Sequence, residues 1–232
     1  MGAGMHVEQL WRYPVKAIGG ERLTAAAVET LGVEGDRVLG VHDERDNDLT
    51  WAGAHPKLMQ MRAVTVGAGL AELILPDDER FRSDAPDADS RLSSALQAKV
   101  KLVGRRPDRP DTALHVLTTT SLHTLGAALP ESTIDVTRFR PNLVLDGASD
   151  EPGTGYPEHG WVGRRMAIGA LRLRFTEGCD RCVVITKETP TVPHDRAVLR
   201  WVARELGNTL GVYAAVEAPG YVRVGDEARW LD

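Results

Sequence analysis

Cys179 and Cys182 are the only cysteines of the 232-residue chain, and they stand three apart in Thr176-Glu177-Gly178-Cys179-Asp180-Arg181-Cys182. A thiolate is the softest protein ligand, so the spacing raises zinc binding, dithiol redox chemistry and a single thiolate on a soft metal. Zinc wants about four ligands, and His194 is the one further Cys or His on the C-terminal side of the pair. A thioredoxin-type dithiol wants its first cysteine at a helix N-terminus. Val183-Val184-Ile185 follows here instead, a β-branched run that reads as strand. A single ligating thiolate fits better, with Arg181 supplying positive charge beside the sulfur. Free cysteine is also a common core residue, so inert packing of one or both thiols is the competing reading.

Other residues suit a different task. Lys16, Arg37 and Arg140 lie in Tyr13-Pro14-Val15-Lys16, Gly35-Asp36-Arg37 and Phe139-Arg140-Pro141-Asn142. Arginine offers a rigid fork to phosphate and lysine a compact charge. Thr118-Thr119-Thr120-Ser121 precedes an apolar series at helical spacing, so its hydroxyls and backbone N–H groups would sit at a positive dipole end. Pro141 steers the backbone of Arg140 away from helix. Anion-binding groups and a thiolate in one chain point to a metal cofactor carrying negative charge. Taken singly, each has a plainer reading: Lys16 and Arg37 as surface charges, Thr119 as a helix cap, Arg140 as a salt-bridged loop residue. His115, His123 and His159 show no ligand spacing, and Trp51 and Trp161 read as packing residues.

The elements that must position these residues are mostly strands. Val7 to Arg12, Arg22 to Val28, Arg37 to His42, Leu114 to Leu117, Asn142 to Leu145, Met166 to Phe175, Val183 to Lys187, Tyr213 to Glu217 and Tyr221 to Val224 all read as strand. Asp43 to Asp48 reads as a solvated hairpin tip, and Gly147 to Gly160 as a long loop. Helices are expected at Ser90 to Ala98, capped by Ser90, at Leu122, Leu125 and Leu129, and at Ala197 to Leu206, where Val198, Val202 and Leu206 recur four apart. No strand–helix–strand rhythm is evident. The charged, Pro-rich stretch Arg105 to Asp111 is the candidate boundary between a domain over 1–104 and one over 105–232. The predicted class is mixed α/β and β-rich, with antiparallel sheet closing into barrels and peripheral helices.

Apolar residues make up 42% of the chain and charged residues 26%, an ordinary globular balance. The formal charge of −5 argues against a broad nucleic-acid surface. No apolar run approaches the roughly 20 residues of a membrane helix. Met1 to His6 has no basic segment followed by an apolar run, so no secretory leader is expected and the expected location is cytoplasmic.

In their order and spacing, these motifs, with Leu117 to Leu122 and Val222-Arg223-Val224-Gly225-Asp226, resemble those of MOSC-domain proteins that carry the N-terminal MOSC β-barrel domain, the mitochondrial amidoxime-reducing component and its bacterial counterparts among them. The resemblance spans nearly the whole chain. It implies a molybdenum–molybdopterin cofactor with Cys182 as metal ligand and catalytic residue, and dithiolene sulfurs and oxygen completing the coordination. Lys16, Arg37, Thr119, Ser121, Arg140, Asn142 and Arg181 are then the cofactor-binding residues, and Cys179 has no assigned role. The implied activity is removal of oxygen from N-hydroxylated or related N-oxygenated or S-oxygenated small molecules. The chain departs from its relatives after Cys182, where Val183 to Glu188 replace a common Thr-Thr-Val-Asp-Pro, and at Ala17, where serine is frequent. Two cysteines cannot hold a ferredoxin-type cluster, which takes four, and no flavin or nicotinamide fingerprint is present, so a separate reductase or ferredoxin-like partner is expected to supply electrons. A cofactor carrier without catalysis, or a persulfide carrier served by a separate pyridoxal-phosphate desulfurase, is the alternative; this chain would not itself bind pyridoxal phosphate. A persulfide adds one sulfur to the mass at Cys182, which a metal thiolate does not. Tungsten in place of molybdenum stays open.

Overall fold

The computed structural model of the protein describes residues 4–105, 109–148 and 153–231. The N-terminal part contributes β1 (His6–Arg12), β2 (Glu21–Leu23), β3 (Ala25–Glu29), β4 (Gly32–Val33), β5 (Leu39–Asp43) and β6 (Asp48–Leu49). Then come β7 (Arg62–Gly67), β8 (Leu70–Ile74), β9 (Arg80–Arg82), helix α1 (Ala88–Leu96) and β10 (Val100–Gly104). The second part opens with β11 (Leu114–Thr118), α2 (Thr119–Ala128), the single turn α3 (Val136–Phe139) and β12 (Leu143–Asp146). It ends with β13 (Arg165–Ile168), β14 (Leu171–Asp180), α4 (Arg196–Glu205), β15 (Thr209–Ala218), β16 (Gly220–Arg223) and β17 (Ala228–Trp230).

An eight-stranded sheet in the order β17-β13-β14-β15-β11-β12-β1-β2 is the largest layer, beside three sheets of three strands. It draws β1 and β2 from the first part of the chain, and β1 runs antiparallel to β12. A register shift between Val7 and Gln9 resets the side-chain phase of β1, so Val7 and Leu10, three apart, both point inward. One apolar core gathers Val7, Leu10, Val28 and Val33 with Leu114, Leu143, Phe175 and Val222. A second is made by residues 15–100, among them Val15, Ile18, Met59, Leu73 and Leu92. A third lies under α2, α3 and α4 and holds Leu125, Phe139, Ile185, Val198 and Val202. The Lys16 segment is rooted in the second core by Val15 and Ile18, and it meets the third where Arg140, at the end of α3, donates to the Ile18 carbonyl and where Val184 packs against the second core.

The β-rich mixed class is as expected, but several details are corrected. The large sheet is open, with β17 and β2 as its edges, so the strands do not close into a barrel. Arg22 to Val28 is not one strand: β2 pairs with β1, whereas β3 pairs with β16 and β4 in another sheet. Helix α1 starts earlier than expected, with Asp87 at its N-cap, and Ser90 lies in the first turn with its hydroxyl on the Asp87 carbonyl at 2.8 Å. One strand–helix–strand unit does occur, since β11 and β12 are parallel and joined through α2 and α3. Val183 to Lys187 is not a strand but a 3₁₀ turn at Val183–Thr186. Burial of Ile185 in the third core and the Thr186 hydroxyl on the Val183 carbonyl at 2.8 Å override the β-branched preference. The candidate boundary at 105–111 falls partly outside the described residues. Among the described residues no helix is long and apolar enough to cross a membrane.

Candidate functional site

Strand β14 delivers the two cysteines to one cavity at different exposure. Cys179 is buried on the strand, and Cys182 is exposed just beyond its end. Cys182 opens into a cavity of about 250 Å³ whose lining includes Lys16, Arg37, Trp51, Arg140, Arg181 and Val184. Cys179 lines the same cavity from its buried side, so Lys16 and Arg37 from the first part and Arg140 and Arg181 from the second converge on both sulfurs, of which Cys182 is the exposed one.

Tyr13 organises two of the cations. Its buried ring has the Arg140 guanidinium carbon 4.3 Å from its centroid and that of Arg37 at 5.1 Å. Its hydroxyl donates to the Pro141 carbonyl at 3.0 Å, and its backbone N–H to Asp36 Oδ1 at 2.7 Å. An electron-rich ring face offsets part of the repulsion between two guanidinium groups held this close. Burial opposes the charge on Arg37, but the Asp36 carboxylate beside it outweighs that and holds Arg37 above its ordinary value. Arg140 has no carboxylate of its own among the described ion pairs and donates to the Ile18 carbonyl. Burial, then repulsion from Arg37, lower its pKa to about 10. The residue is half-buried, so holding the charge there costs about 1–3 kcal/mol at neutral pH. Burial also lowers Lys16, and the charge of Arg105 adds to the effect. The lining carries five cationic side chains against one carboxylate, Asp180.

Backbone strain marks the same place. Ala17, Arg37 and Arg140 have φ of 69°, 52° and 58°, three of the seven described non-glycine residues in the left-handed region. Each costs roughly 1 kcal/mol and persists where its surroundings fix it. In Arg140 this conformation ends α3 and turns the side chain back toward Ile18.

Arg181 and Asn142 brace the site. Buried Arg181 donates to the Leu210 carbonyl at 2.7 Å, to the Phe139 carbonyl at 3.2 Å and to His115 Nε2 at 2.7 Å. This locks the residue before Cys182 to β15, β11 and α3. Burial, and then the charge of Arg181, push His115 well below its ordinary value, which leaves Nε2 free to accept. Gly211 makes room: its φ is +81°, and a Cβ would collide with His115 Nε2 and the Val116 carbonyl. Asn142 accepts the His115 N–H at 3.2 Å and donates to the Trp11 carbonyl at 3.3 Å, tying β11 to β1. It faces a smaller neighbouring cavity of about 160 Å³, which shares Arg37, His115 and Tyr213 with the first.

Thr119 and Ser121 are not brought into the Cys182 cavity. Thr118, not Thr119, caps α2 through its side chain, and Thr119 bonds Asp146. Ser121 is fully buried and donates to Glu158 Oε2 at 2.6 Å, with the Thr118 hydroxyl 2.8 Å from the same oxygen. Burial raises the Glu158 carboxyl above its ordinary value against those donors. The folded chain thus keeps a proton that the unfolded chain loses, so this group's contribution falls as pH rises past the unfolded value of about 4.3. Glu158→Gln is expected to be at least as stable as the parent at about pH 8 and to lose less between about pH 5 and pH 8, read as Tm against pH. A parent that gains on the variant over that interval contradicts this placement.

The roles of Tyr13 and Arg138 and the position of Trp51 escape the sequence reading, whereas His115, read from sequence as structural or surface, is a buried structural residue. Tyr13 lay inside the Lys16 motif, so a signal was present. Arg138 is fully buried and donates to the Ile185 carbonyl at 2.8 Å and the Pro193 carbonyl at 3.1 Å, which no local pattern reveals. Trp161 packs as expected, at 5.1 Å from Phe175 and 5.2 Å from Trp230. Trp51 does not, for it is 45% exposed at the cavity.

Comparison with known proteins agrees with this architecture. Mitochondrial amidoxime-reducing component 1 of Mus musculus and of Homo sapiens are each 26% identical to the chain, with 95% of it aligned to 80% and 81% of theirs. The crystal structure of the YuaD protein from Bacillus subtilis matches with a TM-score of 0.54, covering 98% of this chain and 96% of that one at 13% identity, a likeness of fold. A model described as MOSC N-terminal beta barrel domain matches residues 4–120, and one described as MOSC domain matches residues 103–229. Between them these span nearly the whole sequence, and the chain belongs to the MOSC-domain family.

Proposed function

We propose that the protein binds a molybdenum–molybdopterin cofactor between its two parts and reduces N-hydroxylated or related N- or S-oxygenated small molecules. The observation that carries this reading is the exposed Cys182 thiol in a cavity walled by Lys16, Arg37 and Arg140. Among the described residues no three His, Cys, Asp or Glu side chains gather where a metal could be held. The donor set therefore suits a group that brings most of its own ligands and carries negative charge. Cys182 would hold the metal, and Lys16, Arg37 and Arg140 the anionic groups. Arg181 and Asn142 would act through the backbone they brace, and Thr119 and Ser121 through the start of α2 rather than by contact. Membership of the MOSC-domain family and likeness to the mouse and human amidoxime-reducing components support the same reading.

When bound, the cofactor supplies two-electron chemistry at a metal tuned by its thiolate. For an amidoxime the balance is cleavage of the N–O bond with two electrons and two protons, giving an amidine and water. The chain's own residues orient and neutralise the cofactor and shape the approach to Cys182. The electrons come from a separate redox protein. Purified protein is thus expected to form no amidine with NADPH alone and to form it with a reduced viologen dye. Inactivity with the dye in a molybdenum-loaded preparation refutes the reductase reading, and turnover with NADPH alone refutes the need for a partner.

A further inference from the structure

Trp51 is a large apolar side chain left 45% exposed, and it lines the same cavity as Cys182. An exposed indole in a concave site offers a flat apolar face with a polar edge, a common feature of ligand pockets. Its placement is built rather than incidental. A Cβ on Gly53 would overlap Cη2, Cζ3 and Cζ2 of the indole, so the ring rests directly on glycine backbone. The Trp51 carbonyl accepts the N–H groups of Ala54 and His55, both at 3.0 Å, closing a tight turn beneath the ring. His55 Nε2 lies 2.8 Å from Asp43 Oδ2, which pins that turn to the end of β5. The bond from His55 and another from the Arg45 N–H hold the Asp43 carboxyl below its ordinary range. With Ala17, Ala52 and Val184, the indole supplies apolar lining to the cavity that also carries the cations.

We propose that Trp51 is the stacking platform that selects flat, conjugated, uncharged substrates at Cys182. The inference rests on the proposed reductase reading and names its substrate class. Lys16, Arg37 and Arg140 favour anions, and a bound cofactor would satisfy them, leaving the indole face as the surface a substrate meets. A neutral aryl amidoxime can lie flat on it.

The test is calorimetric titration of the oxidised full-length protein with benzamidoxime and with acetamidoxime, without electron donor so that no turnover intervenes. The parent is expected to prefer benzamidoxime. Trp51→Ala should reduce that preference about 3- to 10-fold, the range for a lost aromatic pair, and Trp51→Phe should keep most of it. Gly53→Ala, which displaces the ring without removing it, should also reduce it. In turnover assays the Trp51→Ala loss should fall on KM for the aryl substrate rather than on kcat. An unchanged preference in Trp51→Ala overturns the inference, as does a parent that binds the two compounds equally. The reductase reading is scored separately, by molybdenum content and dye-driven reduction of acetamidoxime. It can fail while the indole still binds aryl compounds, and it can stand when the indole does not.

Discussion

Cys182→Ala is expected to retain the fold and to lose amidoxime reduction by more than the ~10–100-fold that a change outside the coordination shell costs. Cys182 is exposed and caps only a 3₁₀ turn, so its removal should move stability by no more than about 0.5 kcal/mol. Cys179→Ala should show the reverse. That thiol is buried on β14, within hydrogen-bonding reach of the Tyr213 side chain and 3.9 Å from the Asp180 carbonyl. Truncating it should cost about 1 kcal/mol of stability and leave reduction near parental. Thermal unfolding and dye-driven reduction on the same two preparations separate the roles. Equal losses of activity would mean that the pair, rather than one sulfur, does the chemistry.

Arg140→Met should lose the cofactor without losing stability. The parent holds this guanidinium partly desolvated, repelled by Arg37 and without a carboxylate, in a left-handed backbone conformation. Methionine keeps an apolar stem against Tyr13 and removes the charge. The Ile18 carbonyl loses its donor, at about 1–3 kcal/mol, and relief of the strained charge offsets a similar amount, so Tm should be unchanged or higher. Removing one partner of a close charge pair costs about 2–5 kcal/mol, so retention of the anionic group should fall by roughly 30-fold or more. Molybdenum per chain after gel filtration, beside Tm, reads both. A large fall in Tm with cofactor retained would mark Arg140 as a structural residue. The pH sign follows from the same shift. A base whose folded pKa is lowered to about 10 lets stability rise as pH climbs through that value, and Arg140→Met should remove that rise.

Where the signal was local, the sequence revealed it. The apolar spacing of Val198 and Val202 marked α4, and the acidic stretch from Asp43 marked the β5–β6 hairpin. Convergence of Lys16, Arg37, Arg140 and Cys182 was legible as motifs whose residue types share one chemistry. Distant constraints stayed hidden. Val183-Val184-Ile185 looks like strand until Ile185 is seen in the third core. Ser121 looks like an anion ligand until Glu158, 37 residues away, is found beneath it. Arg181 looked like a charge for the sulfur, yet its guanidinium is spent on two carbonyls and His115. The left-handed turns at Arg37 and Arg140 have no composition signal, since neither is glycine. Trp51 gave no hint beyond the nearby Gly53 on which its ring rests.

Direct coordination of the metal by Cys182 is the claim on which the rest depends. X-ray absorption at the molybdenum edge, on the parent and Cys182→Ala proteins side by side, tests it most directly. The metal–sulfur coordination number is expected to fall by one in whatever metal the variant retains, and to be unchanged in Cys179→Ala. An identical sulfur shell in parent and Cys182→Ala, or no molybdenum in parent protein from a cofactor-competent host, would contradict it.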